Sequence, residues 1–248
     1  MKILKNLLPL FALLTVSNSF AANEGDAVHE LFDQILRAHV SDGRVDYDAI
    51  QFDTRFNRYL DLITNFDPDR LSSRAEKLAF WINAYNALAI KGIIDGHSPK
   101  SLFGRYKYFK SVQYDIARQR INLYDLEHEI IIPLGEPRIH FAIVCASLSC
   151  PALRSEAYIA SKLERQLNEN ASRFINNSDK NDFDGKQIYV SRIFEWFEKD
   201  FSTHSGSLQK YLAQYVKDPA LVQKLEADAL KVGYLAYDWR LNGKRGDG

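Results

Sequence analysis

Apolar and polar positions along the chain fall into helical and extended stretches. Over residues 27–39, Val28, Leu31, Phe32, Ile35 and Leu36 recur at helical spacing before Ser41-Asp42-Gly43 turns the chain. Residues 47–66 repeat the pattern through Ile50, Phe56, Tyr59, Leu60 and Ile63, until Asp67-Pro68 stops it. Ser73 and Glu76 stand at capping-box spacing, and Asp95-Gly96 supplies a stop. Between them Leu78, Trp81, Ile82, Tyr85, Leu88, Ala89, Ile90 and Ile93 leave little polar face, which predicts a central, nearly buried helix over 72–96. Residues 112–116 and 120–123 read as a hairpin, 123–132 as a helix, and the apolar run 139–144 as a buried strand. Helices are expected near 158–175, 191–201, 207–216 and 220–225, and strands over 187–190 and the alternating segment 234–242.

The predicted fold is a single helix-rich α+β domain. Its small, mostly antiparallel sheet is drawn from residues 112–121, 139–144, 187–190 and 234–239, with helix 72–96 packed on it. Residues 1–22 are set apart as a secretory leader: Lys2 and Lys5 precede an apolar run, and Ala21 and Ala22 offer small residues for cleavage. The domain is expected over 23–242, with its core from about residue 71, and a disordered tail over 243–248. No later apolar run is long enough to span a bilayer, so a periplasmic or secreted protein is expected. The chain has 32 basic and 32 acidic residues, and losing the two leader lysines leaves a slightly acidic protein, which argues against nucleic-acid binding.

Composition adds one decisive fact: the only two cysteines, Cys145 and Cys150, stand five residues apart in the loop after the 139–144 run. In an exported protein this even pair is read as a disulfide closing a small loop. The alternative is a working thiol. Cys150, immediately before Pro151, has the sequence of a helix N-cap, where backbone N–H groups lower a thiol pKa, and it is the better candidate nucleophile. On a strand His140 and Cys145 would face opposite sides, about 16 Å apart. His140 and His128 are nevertheless the candidate bases, with Glu127 or Asp238 as orienting acids. His29 and His39 are expected at the surface.

Asn83 and Asn86, inside the apolar helix, need dedicated hydrogen-bond partners: a structural clamp on a neighbouring loop, or a substrate-facing role. The segment around Lys100, Arg105, Lys107 and Lys110 is basic and aromatic, a candidate anionic-ligand site. Asp182-Phe183-Asp184-Gly185 fails as a calcium loop, because Lys180 and Ser191 fall where carboxylates are required. No metal or cofactor is expected.

The residues Phe80-Trp81-Ile82-Asn83-Ala84-Tyr85-Asn86, Leu126-Glu127-His128, and His140-Phe141-Ala142 leading to Cys145, Ser149, Cys150 and Pro151 resemble a bacterial family catalogued as domain of unknown function 547. Ile193-Phe194-Glu195-Trp196, Asp200-Phe201, and Tyr237-Asp238-Trp239 with Asn242 extend the resemblance. In a binding-module reading Asn83, Asn86, His128 and His140 form a structural polar network beneath the loop, with Trp81, Ser149 and Asn242 as further binding or network candidates. The resemblance itself implies only that its residues form one pattern. It implies no reaction. The expected function is a binding or scaffolding module with a disulfide-locked loop; a thiol-dependent hydrolase or acyltransferase is the alternative.

Overall fold

Local capping sets the N-terminal part of the molecule. In the computed structural model, which describes residues 24–183 and 187–246, the first helical pattern becomes α1 (Glu24–Ala27) and α2 (Glu30–His39). β1 (Val40–Ser41) and β2 (Arg44–Asp46) follow as an antiparallel pair. Gly43 in their turn has φ +76°, and a Cβ there would lie 2.5 Å from Ala152 Cβ. Only glycine lets this turn rest on the loop after Pro151. Asp46 caps α3 (Tyr47–Phe52) and Asp53 caps α4 (Thr54–Asn65), so the expected helix over 47–66 divides at Asp53.

The central helix forms as its sequence dictates. α5 (Arg74–Ile94) begins with a complete capping box between Ser73 and Glu76. It ends in a Schellman arrangement, with Gly96 at φ +83° and the His97 N–H reaching the Gly92 carbonyl at 2.9 Å. Almost every residue from Leu78 to Ile90 is buried. α6 (Leu102–Tyr106) then runs into a π-helical turn, Lys107–Ser111. The expected hairpin is β3 (Tyr114–Ile116) and β4 (Gln119–Ile121). Its turn residues Ala117 and Arg118 both have positive φ, and their N–H groups bond the Ile63 and Thr64 carbonyls at the end of α4. α7 (Leu123–Asp125) continues as a second π-helical turn, Leu126–Ile131, in place of the regular helix expected over 123–132.

The run at 139–144 is not a strand. Pro137–Phe141 is a 3₁₀ helix, and the Ala142 and Ile143 N–H groups both return to the Ile139 carbonyl. Period-two facing is therefore lost, and residues three apart share a side. Ile139 and Ala142 pack into the core around α5, whereas Phe141 enters a second cluster with Phe174, Phe194, Phe201 and Tyr211. An apolar run buried on all sides reads the same whether strand or tight helix.

The C-terminal part comprises α8 (Leu163–Ile175), β5 (Gln187–Val190), α9 (Ile193–Trp196), α10 (Glu198–Ser205), α11 (Leu208–Ala213), α12 (Pro219–Glu226), β6 (Lys231–Tyr234) and β7 (Gly243–Lys244). The strand expected over 234–239 thus ends where it was to begin. The fold is helix-rich α+β, but its strands form three small sheets: β1-β2-β7, the β3-β4 hairpin, and β5-β6. The β2-β7 and β5-β6 pairs are parallel, so antiparallel pairing does not dominate. Residues 243–246, assigned from sequence to a disordered tail, are tied down: β7 pairs with β2, and Arg245 bonds Gln51 and the Ile94 carbonyl. The leader, residues 1–22, the last two tail residues and the Asp184-Gly185 half of the rejected calcium loop lie outside the described residues. No helix among the described residues is long and apolar enough to cross a membrane.

Candidate active site

Two loops meet to build the cysteine centre. After Cys145 the chain turns through Ala146 at φ 57°, a left-handed conformation uncommon for a residue with a Cβ. Residues 146–149 then zip against residues 238–242. The Leu148 N–H bonds the Arg240 carbonyl at 2.7 Å, the Asn242 N–H bonds the Ala146 carbonyl at 3.1 Å, and Ser149 Oγ accepts the Asp238 N–H at 2.8 Å. This pairing brings Tyr237 to the cysteine, with its hydroxyl 3.1 Å from Cys145 Sγ. Ser147 Oγ also lies 3.1 Å away.

Cys145 and Cys150 carry free thiols, so the expected disulfide is not formed. Their sulfurs are 2.7 Å apart, and the Cys145 N–H points at Cys150 Sγ. Nor does Cys150 cap a helix: residues 151–154 are irregular and Cys150 is buried. The candidate nucleophile therefore shifts to Cys145. Burial raises its thiol pKa, but hydrogen bonds from Cys150, Ser147 and Tyr237 more than offset this and bring it down to about 7. Burial and the neighbouring Cys145 charge push Cys150 well up. Above about pH 7 the pair holds one negative charge, on Cys145. Once ionised, Cys145 only accepts, and the proton between the sulfurs belongs to Cys150.

The 3₁₀ geometry changes the position of His140. Its ring stacks on Phe197 at 3.9 Å, and Nε2 lies 2.8 Å from Asp200 Oδ2 on α10. A carboxylate only accepts, so Nε2 carries the ring proton. Burial, partly countered by Asp200, lowers the His140 pKa and keeps the ring neutral. Nδ1 is therefore a bare lone pair, buried without a hydrogen-bond partner and 4.0 Å from Glu127 Oε1. Burial first, then the charges of Cys145 and Asp200, push the Glu127 carboxyl up to about 8 despite a hydrogen bond from Tyr85. At neutral pH Glu127 is an acid holding its proton.

Cys145, His140, Glu127 and His128 all line one cavity of about 360 Å³. Its walls are largely aromatic: Tyr85, Tyr106, Phe109, Tyr124, Trp196, Phe197, Tyr237 and Trp239. Both π-helical turns contribute, one through Phe109 and Lys110, the other through Glu127 and His128. Such turns recur at functional sites because they re-aim side chains that a regular helix would place elsewhere. His128 stacks on Tyr124 and its Nδ1 bonds the Tyr124 carbonyl at 2.9 Å. Arg105 and Lys110 stand at the rim over the Trp239 and Tyr124 rings, whereas Lys100 and Lys107 are exposed and not part of the lining.

Other residues singled out from sequence serve elsewhere. Asn83 clamps Tyr158, donating to its carbonyl at 2.7 Å and accepting its N–H at 2.9 Å. Asn86 clamps the segment before Cys145 in the same way, through Ala142 and Val144. Trp81 packs edge-on against Phe80 in the core. Asn242 accepts from the Tyr47 hydroxyl at 2.6 Å, and its amide nitrogen is buried without a partner. Asp238 does not orient a histidine. It pairs with Arg240, which holds its carboxyl down to about 2. The acid on His140 is Asp200, sixty residues away in sequence, signalled only by the Asp200-Phe201 part of the pattern. His29, expected at the surface, is buried against Phe80 and bonded to the Tyr59 hydroxyl. His39 is half-buried and pairs with Asp53. Among the described residues no group of three or more His, Cys, Asp or Glu is placed to hold a metal ion.

Residues 68–175 match a family described as a protein of unknown function, DUF547. The match spans α5, Glu127, His128, His140 and both cysteines, and stops short of Asp200 and Tyr237. No curated protein and no solved structure matches the chain.

Proposed function

We propose that this DUF547-like chain is an exported thiol-dependent hydrolase or acyltransferase, with Cys145 as nucleophile and His140 as base. One observation carries the reading: a thiol whose pKa is brought down to about 7 and a histidine with one ring nitrogen on a carboxylate and the other bare face the same aromatic-walled cavity. This is the nucleophile, base and orienting-acid logic of acyl transfer, with Nδ1 as the working nitrogen. Free thiols remove the main support for a disulfide-locked scaffold, and the leader pattern at residues 1–22 supports export.

The residues account for a closed cycle. The Cys145 thiolate attacks the acyl carbon, forming a thioester and breaking the bond to the leaving group, which departs with the Glu127 proton. A water entering the cavity gives a proton to His140 Nδ1 and attacks the thioester, releasing the acid and restoring the thiolate. The proton passes from Nδ1 to the Glu127 carboxylate, 4.0 Å away. Asp200 stabilises the transient imidazolium and fixes the ring.

The test is acyl-enzyme trapping with p-nitrophenyl acetate, read by peptide mass spectrometry. One acetyl group on Cys145 is expected, absent in Cys145→Ser and long-lived in His140→Ala. Acetylation that spares Cys145, or equal turnover by wild type and Cys145→Ser, refutes the assignment.

A further inference from the structure

Leu102, Phe103 and Tyr106 are 79%, 77% and 60% exposed, and three such large apolar side chains within five consecutive positions form a patch rather than scatter. On α6 Tyr106 lies three and four positions after Phe103 and Leu102, so the three share one side. Tyr106 also lines the cavity, which makes this face continuous with the mouth of the site. The same stretch carries Lys100, Arg105, Lys107 and Lys110, and no acidic residue occurs between Gly96 and Tyr114. Lys100 and Lys107 are exposed, while the Arg105 guanidinium sits 4.6 Å over the Trp239 ring at the rim.

Exposed leucine and aromatic side chains interleaved with cations complement an anionic lipid surface: the rings and Leu102 enter the acyl boundary while the cations meet headgroup charge. An apolar patch without the cations would fit any hydrophobic partner, and the cations alone any soluble anion. Their alternation along one short segment fits a surface that is charged outside and apolar beneath. We infer that the segment from Lys100 to Lys110 docks the protein on an anionic bilayer, with the mouth of the cavity turned toward the lipid.

The test is flotation of the protein starting at Asn23, which retains every described residue, with phosphatidylcholine vesicles that contain or lack one-quarter phosphatidylglycerol. Binding to the anionic vesicles, weakened by salt, and little binding to phosphatidylcholine alone are expected. Lys100→Gln with Lys107→Gln should lower the partition coefficient roughly thirtyfold. Leu102→Asp with Phe103→Asp should abolish binding while the melting temperature holds, since all four side chains are exposed. Cys145→Ser should bind as wild type does, so the outcome is independent of the proposed chemistry. Equal binding to both vesicles, no binding to either, or binding unchanged in both double variants overturns the inference.

Discussion

Replacing Asn86 with alanine tests how the cysteine loop is held. The Asn86 side chain is buried, donates to the Ala142 carbonyl at 3.0 Å and accepts the Val144 N–H at 2.9 Å. Asn86→Ala removes both bonds at once and strands two backbone groups in the core. Each orphaned group costs about 1 to 3 kcal/mol, so the loss should be roughly 2 to 6 kcal/mol. Against a typical total of about 5 to 15 kcal/mol this is a large fraction. Urea unfolding followed by circular dichroism should show a lower midpoint with an unchanged slope. Asn83→Ala is the control. It breaks an equivalent clamp, on Tyr158 rather than on the segment leading to Cys145. Both variants should lose comparable stability, but only Asn86→Ala should also change the rate at which iodoacetamide modifies Cys145. A loss within about 0.5 kcal/mol of zero, the range of surface substitutions, would refute the clamp.

Three further outcomes follow from the site and the core. Iodoacetamide should modify Cys145 ahead of Cys150 with a pH midpoint near 7, and Tyr237→Phe should raise that midpoint; a midpoint at the ordinary thiol value of about 8.5 would contradict the hydrogen-bonding account. Because the folded Glu127 carboxyl titrates at about 8, well above its unfolded value, the native state holds a proton that the unfolded chain releases. Stability therefore falls as pH climbs from about 4.3 to about 8, and Glu127→Gln should flatten this limb, by on the order of 4 kcal/mol between its ends; identical pH profiles for variant and wild type would exclude a buried acid here. His29 shows the opposite sign: burial drives its pKa down to about 3, so its contribution to stability is present above pH 6.5 and lost as pH falls toward 3. Thermal melts at pH 4 and 7 should show a smaller acid loss for His29→Gln than for wild type.

Where sequence was read well, the physics was local. The capping box of Ser73 and Glu76, the glycine stop at Gly96 and the nearly all-apolar run between them specify α5 without reference to the rest of the chain. The need of Asn83 and Asn86 for partners also followed from sequence, because an amide in such a helix cannot stay unpaired, although the partners were not nameable. The β3-β4 hairpin fell in the same class.

Where sequence misled, the outcome depended on distant contacts. A fully apolar run carries no period, so 139–144 was legible as buried but not as a 3₁₀ turn; two cores pulling Ile139 and Phe141 in different directions decided that. This choice brought His140 into the Cys145 cavity, where a strand would have separated them. Asp200, rather than Asp238, became the histidine's partner because α10 packs beside the turn, and Asp238 has a nearer cation in Arg240. Cysteine spacing alone could not tell a bridge from a thiol pair. The fold shows a thiol pair, and the zipped loops bring Tyr237 and Ser147 to Cys145, where they favour its charge. Elements that close their own hydrogen bonds, and residues that must be buried, are legible from the order of residues alone. Pairings between side chains far apart in the chain are not, because pKa and reactivity depend on neighbours that packing supplies.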